Sequence, residues 1–179
     1  MKTEILQILR NTDGYVSGQQ LCDTLGVSRT AVWKVINQLK EEGYEIEAVR
    51  NRGYRIVEAA DVLNASELKS RLHTKHIGSK VYYQSEIDST NSWLKRLAEE
   101  GAPDGSVTIA DMQSRGKGRR GRVWVTPFGT SIPFSILLRP DIRPERASML
   151  TLVMGLCVAE AMEQLYGMEV GIKWPNDVV

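Results

Sequence analysis

The sequence predicts an α+β protein: a small three-helix module closed by a β-hairpin, then an α/β domain in which strands and helices alternate. Three observations predict it. Apolar residues recur at helical spacing in three short runs before Gly43, two of them opened by a serine. Residues 44–56 alternate apolar and polar up to an arginine-rich turn. Beyond residue 80, β-branched and aromatic runs of strand length are separated by longer helical patterns.

Ile5, Leu6, Ile8 and Leu9 set the first helix over Lys2 to Arg10, which Asn11-Thr12-Asp13-Gly14 ends. Ser17 is a good N-cap, and Gln20 completes a capping box in which side chains and backbone N–H groups satisfy one another. Leu21 and Leu25 share a face of this second helix, and Gly26 supplies the next turn. Ser28 caps a third helix with a buried stripe of Val32, Val35, Ile36 and Leu39, stopped by Gly43. Helix, glycine-containing turn and helix make a helix-turn-helix. The outward face of the third helix carries Ser28, Arg29, Thr30, Trp33, Lys34 and Asn37, and its start is expected in the major groove of duplex DNA. Tyr44, Ile46 and Ala48 alternate with Glu45 and Glu47, and Arg50-Asn51-Arg52-Gly53 reads as a basic hairpin tip. This is a wing, whose Arg50, Arg52 and Arg55 would meet phosphates or a minor groove. The competing reading is a protein-interaction module with solvated charges. The clustering of Glu41, Glu42, Glu45 and Glu47 away from the basic helix start favours DNA.

Ala59-Ala60-Asp61 leads into a short helix capped by Ser66 or Asn64 and packed through Leu68 and Leu72, with the domain boundary expected between residues 62 and 63. His73 and His76 have no carboxylate or thiol clustered with them and read as a polar loop. A strand is expected over Lys80 to Gln84. Ser89, Thr90 and Asn91 then open a helix with Trp93, Leu94 and Leu97 on one face, either as ordinary caps or as partners of a small polar ligand.

Val107 to Ala110 reads as a buried strand feeding a loop, Gln113 to Trp124, that holds five cations (Arg115, Lys117, Arg119, Arg120, Arg122) among Gly116, Gly118 and Gly121. Glycine lets backbone approach a ligand, and lysine and arginine pair with phosphate oxygens. Trp124 offers a flat face for a base or for packing. A phosphate-binding loop of non-Walker spacing competes with a disordered nucleic-acid-binding tail, and flanking strands at Val107–Ala110 and Ile132–Leu138 favour the loop. Ala147 to Tyr166 is a long helix, apolar nearly all round and so expected to be largely buried. Val170, Ile172 and Trp174 alternate on a strand with Lys173 opposite. Lys173-Trp174-Pro175-Asn176-Asp177 sets a cation and a carboxylate at that strand's end. Lys173 could meet a carboxylate or phosphate and Asp177 could hold Mg²⁺, or the run is a plain strand-ending turn.

With 179 residues, 42% hydrophobic and 25% charged, the composition has the balance of an ordinary soluble globular protein. The net charge of +1 names no partner. Cys22 and Cys157 are expected as buried, reduced thiols. No signal peptide opens the chain and no stretch is expected to span a bilayer, so a cytoplasmic protein without membrane partners is expected. Val178-Val179 reads as the opening of another strand, and the chain is expected to stop inside a domain.

The order Asp88-Ser89-Thr90-Asn91, Gln113 to Trp124, Lys173-Trp174-Pro175-Asn176-Asp177 resembles biotin–protein ligases, that is biotin–[acetyl-CoA-carboxylase] ligases. With the winged helix in front, the chain is similar to the bifunctional kind that is also the biotin operon repressor. The resemblance implies a winged helix-turn-helix over residues 1–62 and, over 63–179, the front of a class II synthetase-like α/β ligase domain, without its C-terminal part and β-barrel. It implies biotin and ATP as substrates, with Mg²⁺. Ser89, Thr90, Asn91, Gln113, Gly116, Lys117, Gly118, Arg119 and Lys173 would bind biotin, the first ones at its ureido end and Lys173 at its carboxylate. Lys117, Arg119 and Lys173 would serve catalysis, Lys117 and Arg119 gripping the phosphate of biotinyl-5′-AMP and Lys173 lying close to the biotin carboxylate and the acyl-phosphate. Arg119, Arg120, Arg122, Trp124 and Asn176 would bind ATP, and Asp177 the metal. Lys117 stands where many members have arginine, and Arg115 where they have a small residue. The implied partners are a duplex DNA operator and a biotin carboxyl carrier protein, with homodimerisation once the adenylate is bound. A catalytically inactive DNA-binding regulator is the alternative.

Overall fold

The computed structural model describes residues 1–58 and 61–179, so Ala59 and Ala60, at the head of the expected join, lie outside the described residues. The chain divides into two compact units, Met1–Leu138 and Arg139–Val179.

The first unit opens with helices α1 (Lys2–Arg10), α2 (Gly18–Leu25) and α3 (Arg29–Glu41). The capping box of α2 is complete: Ser17 Oγ accepts from Gln20 N–H at 3.1 Å, and Gln20 Oε1 accepts from Ser17 N–H at 2.9 Å. Gly26 closes α2 in the left-handed region at φ 64°, as the turn requires. Ser28 caps α3, and Val32, Val35, Ile36 and Leu39 are its buried residues. They meet Ile5, Leu6 and Leu9 of α1 in one core that also takes Val16, Leu21, Tyr44 and Ile46. The wing is the antiparallel pair β1 (Glu45–Val49) and β2 (Gly53–Glu58), turning through Asn51 at φ 63°. Tyr44 and Ile46 are buried, whereas Ala48, third in the alternation, is exposed near the tip.

Helix α4 (Ala65–Arg71) is capped by Asn64, whose side chain accepts from Glu67 N–H at 2.8 Å. Leu68 and Leu72 are half-buried, and the buried positions are polar: Glu67 and Ser70. Glu67 accepts from Arg10 on α1 at 2.6 Å, from Arg71 at 2.7 Å and from the Tyr44 hydroxyl at 2.7 Å. Arg10 also donates to Ser70 Oγ at 2.6 Å. Burial works to raise the Glu67 carboxyl, but the hydrogen bonds from Arg71, Tyr44 and Arg10 outweigh it and hold it below its ordinary value. Burial, and then Glu67, push the Tyr44 hydroxyl well above its own.

A four-stranded mixed sheet follows. Its central strand β4 (Val107–Lys117) pairs in parallel with β3 (Val81–Ile87). Along its other edge it pairs antiparallel with β6 (Phe134–Ile136) and then with β5 (Val123–Thr126). Helix α5 (Thr90–Glu99) crosses between β3 and β4 and packs on β4 through buried Leu94. Two expectations are corrected here. The strand expected at Val107–Ala110 runs on through Gly116 and Lys117, and the one expected at Ile132–Leu138 is reduced to three residues after Pro133, which has no N–H for a ladder.

The second unit holds helix α6 (Met149–Tyr166) and a ribbon of β7 (Ile172–Lys173) and β8 (Asp177–Val178). The expectation of a largely buried helix fails: only Gly155 and Ala159 are buried, while Met149, Val153, Leu156 and Leu165 are exposed. Within its unit α6 packs on two two-residue strands, β7 and β8, and a Cβ on Gly155 would sit 3.9 Å from Ile172. Cys157 is accordingly exposed, whereas Cys22 is buried. The helical run Pro144–Tyr166, with mean hydropathy 1.3 over its most apolar window, is long and apolar enough to cross a membrane by length and composition, against the expectation that no stretch is. Such a helix is weak evidence of a membrane span, since the core helix of a soluble protein meets the same measure. Trp174 leaves the expected strand for the ribbon's turn and is 74% exposed.

Candidate functional site

Asp88 to Ser92, running from the end of β3 into the first turn of α5, lies against Gln113 to Lys117 of β4 because the two strands run parallel, with Ile87 beside Gln113. Ser89 and Thr90 are both buried, so these residues are more than a surface cap, and the Ser89 side chain makes no capping bond. Thr90 donates to Gln113 Oε1 twice, from its N–H at 2.9 Å and its hydroxyl at 3.1 Å. Ser135 on β6 meets the same hydroxyl at 3.0 Å, and Thr108 Oγ1 donates to Thr90 O at 3.1 Å. With its oxygen engaged twice, the Gln113 carboxamide offers its NH₂ as a donor to a ligand. Gly116 is where the backbone closes in. A Cβ there would lie 2.3 Å from Trp124 O, so only glycine lets β4 and β5 pair.

The cations follow on the β4–β5 turn. Lys117 donates from Nζ to Ser92 Oγ at 2.8 Å, which ties the turn to the start of α5. The backbone N–H of Gly118 donates to Arg122 O at 2.8 Å, closing a tight turn around Arg119 to Gly121. Arg120 sits at φ 55° in the left-handed region, an uncommon place for a side chain. Arg115, Lys117, Arg119, Arg120, Arg122 and Trp124 are exposed. No acidic residue stands between Asp111 and Asp141. Asp88 is already bound in a fork by Arg96 at 2.9 and 3.0 Å, which holds its carboxyl down at about 2. This concentration of positive charge is suited to an anion.

Asn91, also exposed, lies at the start of α5. Lys173, Asn176 and Asp177 belong to the second unit, where Lys173 pairs with Asp177 across the ribbon and Asn176 donates to Asp177 Oδ1 at 2.8 Å.

The DNA-facing candidates form a second cluster. Ser28, Arg29, Thr30, Trp33 and Lys34 are exposed along the start of α3, and Asn37 is half-buried. Gln19 on α2 accepts from Arg29 at 2.9 Å and so aims it. Arg29, Arg50 and Arg52 line a single groove between α3 and the wing. Two residues the sequence reading missed are Gln19 and Tyr15, whose ring lies under Arg52 and Arg55. Their signal was position: each flanks the α2 cap in sequence, and the fold folds the wing back onto that cap through the Val16–Tyr54 bridge.

Residues 83–179 match the model of the biotin/lipoate A/B protein ligase family. The chain belongs to that family. Residues 2–55 also match an HTH domain. The chain is 43% identical to the bifunctional ligase/repressor BirA of Bacillus spizizenii over 92% of this chain and 51% of that protein. It is 37% identical to the protein of the same name from Escherichia coli, over 98% of this chain and 53% of the relative. The chain thus spans about half the length of the curated relatives it matches. In fold it is like a biotin protein ligase from Leishmania major solved with biotinyl-5-AMP, at TM-score 0.50 and 20% identity over 56% of this chain and 47% of that one. The chain thus combines a helix-turn-helix domain with the fold of the ligase family, in the α+β class its sequence predicts.

Proposed function

We propose that this protein activates biotin with ATP, transfers it to a lysine of a biotin carboxyl carrier protein, and acts as a biotin-responsive DNA-binding repressor. The DNA-reading part is taken as residues 1–62 and the ligase part as 63–179. The observation that carries the reading is the junction of the Thr90–Gln113 pair with the acid-free basic turn on one strand, β4. Its neutral end suits a ureido group and its cationic end a phosphate.

In this scheme Ser89, Thr90, Asn91 and Gln113 hold the bicyclic end of biotin, and Gly116 and Gly118 let the backbone approach it. Lys117 and Arg119 neutralise the phosphate while the carboxylate oxygen bonds to the α-phosphorus and pyrophosphate leaves. Arg120, Arg122, Trp124 and Asn176 serve the nucleotide, and Lys173 the carboxylate. The acceptor lysine then attacks the mixed anhydride and AMP departs, so no side-chain nucleophile is needed. Among the described residues no three His, Cys, Asp or Glu cluster for a metal. Asp177 as a lone exposed carboxylate fits Mg²⁺ held jointly with nucleotide phosphates and water, where the ion would neutralise charge. Ser28, Arg29, Thr30, Trp33, Lys34, Asn37, Arg50 and Arg52 would face the operator, with the adenylate promoting a homodimer on it. With ATP and DNA as its ligands, the protein would work in the cytoplasm.

The test is pyrophosphate release from ATP with and without biotin, on this chain and on a version extended to its relatives' length. Biotin-dependent release, reduced at least about 100-fold by Arg119→Ala, is expected in the extended version. No release from either, with duplex binding intact, would turn the reading into that of a regulator without catalysis.

A further inference from the structure

We propose that Tyr15 is a positioning residue for DNA recognition, its ring the platform that aims Arg52 of the wing at duplex phosphate. The inference rests on the DNA-reading role proposed above.

Tyr15 precedes Val16, which pairs with Tyr54 of the wing through two backbone hydrogen bonds of 2.8 and 2.9 Å. Gly53 makes that pairing possible, because a Cβ there would lie 2.0 Å from Val16 O. The ring is therefore pinned beside the hairpin tip. The guanidinium carbon of Arg52 lies 4.7 Å from the ring centroid and that of Arg55 lies 5.0 Å from it, both within the range in which a ring face attracts a cation. The two arginines differ in what else they meet. Arg55 is ion-paired with Glu47 at 2.8 Å, so its charge is already answered within the protein. Among the described residues Arg52 has no ion pair. Its charge acts on Glu47 only at a distance, without an ion-pair contact, so its guanidinium stays open to a ligand. Its backbone N–H donates to Val49 O at 3.1 Å in the tip turn, and its side chain lines the groove shared with Arg29 at the start of α3. Arg55 and Glu47 thus hold the ring, Glu47 through a hydrogen bond with the Tyr15 hydroxyl, while the ring restricts a long side chain that would otherwise be ordered only on binding.

The probe is a fluorescein-labelled mixed-sequence duplex of about 40 base pairs, followed by anisotropy over a range of KCl. Arg52→Ala is expected to weaken binding and to reduce the slope of log affinity against log salt by about 0.9, one phosphate contact. Tyr15→Leu, which keeps apolar bulk without a ring face, is expected to weaken binding about threefold to fivefold, while Tyr15→Phe binds within about twofold of the parent. The deciding measurement is the double variant. Tyr15→Leu with Arg52→Ala should bind no more weakly than Arg52→Ala alone. Independent, multiplying losses overturn the positioning role, as does parental binding by Tyr15→Leu. A parent chain without salt-dependent duplex binding overturns the DNA role itself, and with it this inference.

Discussion

Glu67 keeps its charge in a buried place because three donors converge on it. Its carboxyl lies below the ordinary value of 4.5, so on acidification the unfolded chain takes up this proton before the folded one does. The stability it contributes is complete above about pH 5 and is lost as pH falls through the folded value. Glu67→Gln removes that dependence. Urea midpoints of the parent should fall more steeply than those of the variant below about pH 5, and parallel acid limbs would contradict the assignment. At neutral pH the variant should cost about 3 kcal/mol, because Arg10, with 16% of its side chain exposed, loses its counter-charge. At Gly116 the constraint is steric. Gly116→Ala must part β4 from β5, and a loss of about 2 kcal/mol or more on thermal unfolding is expected. A melting temperature equal to the parent's would mean the strands can give way.

At the scale of elements, local signals succeeded where an element is decided by its own residues. The Ser17–Gln20 box and the α3 stripe are of this kind, and Ser17→Ala should cost about 1 kcal/mol in a urea titration, with no change refuting the cap. The winged helix-turn-helix and its basic tip were legible for the same reason. The second half was less so. Gly, Lys, Arg and Ser favour a loop, yet Gly116 and Lys117 are strand because Trp124 and Val123 pair with them, a tertiary choice that propensity cannot foresee. The α4 pattern pointed to leucines, while the contact to α1 is made by Glu67 and Ser70, whose partners lie 57 and 60 residues away in sequence. For the site, the residue types and their order were legible, since Gly and Arg density is a local property. That Thr90 orients Gln113 was not, because only the parallel pairing of β3 and β4 brings them together.

At the scale of the whole molecule, an apolar helix stands largely uncovered. Exposed Met149, Val153, Leu156 and Leu165 on α6 should make the 179-residue chain bind an apolar dye and associate as its concentration rises. Val153→Glu with Leu156→Glu should lower both without lowering the melting temperature, and unchanged sedimentation would show that α6 is not the cause. The central claim is that the Gln113 strand and the basic turn that follows it on β4 serve one acyl-adenylate. Calorimetric titration with biotinyl-5′-AMP tests it most directly, in the chain extended to its relatives' length. A single site is expected, weakened at least about tenfold by each of Gln113→Ala and Arg119→Ala. Binding that neither substitution disturbs, or no binding at all, would contradict it.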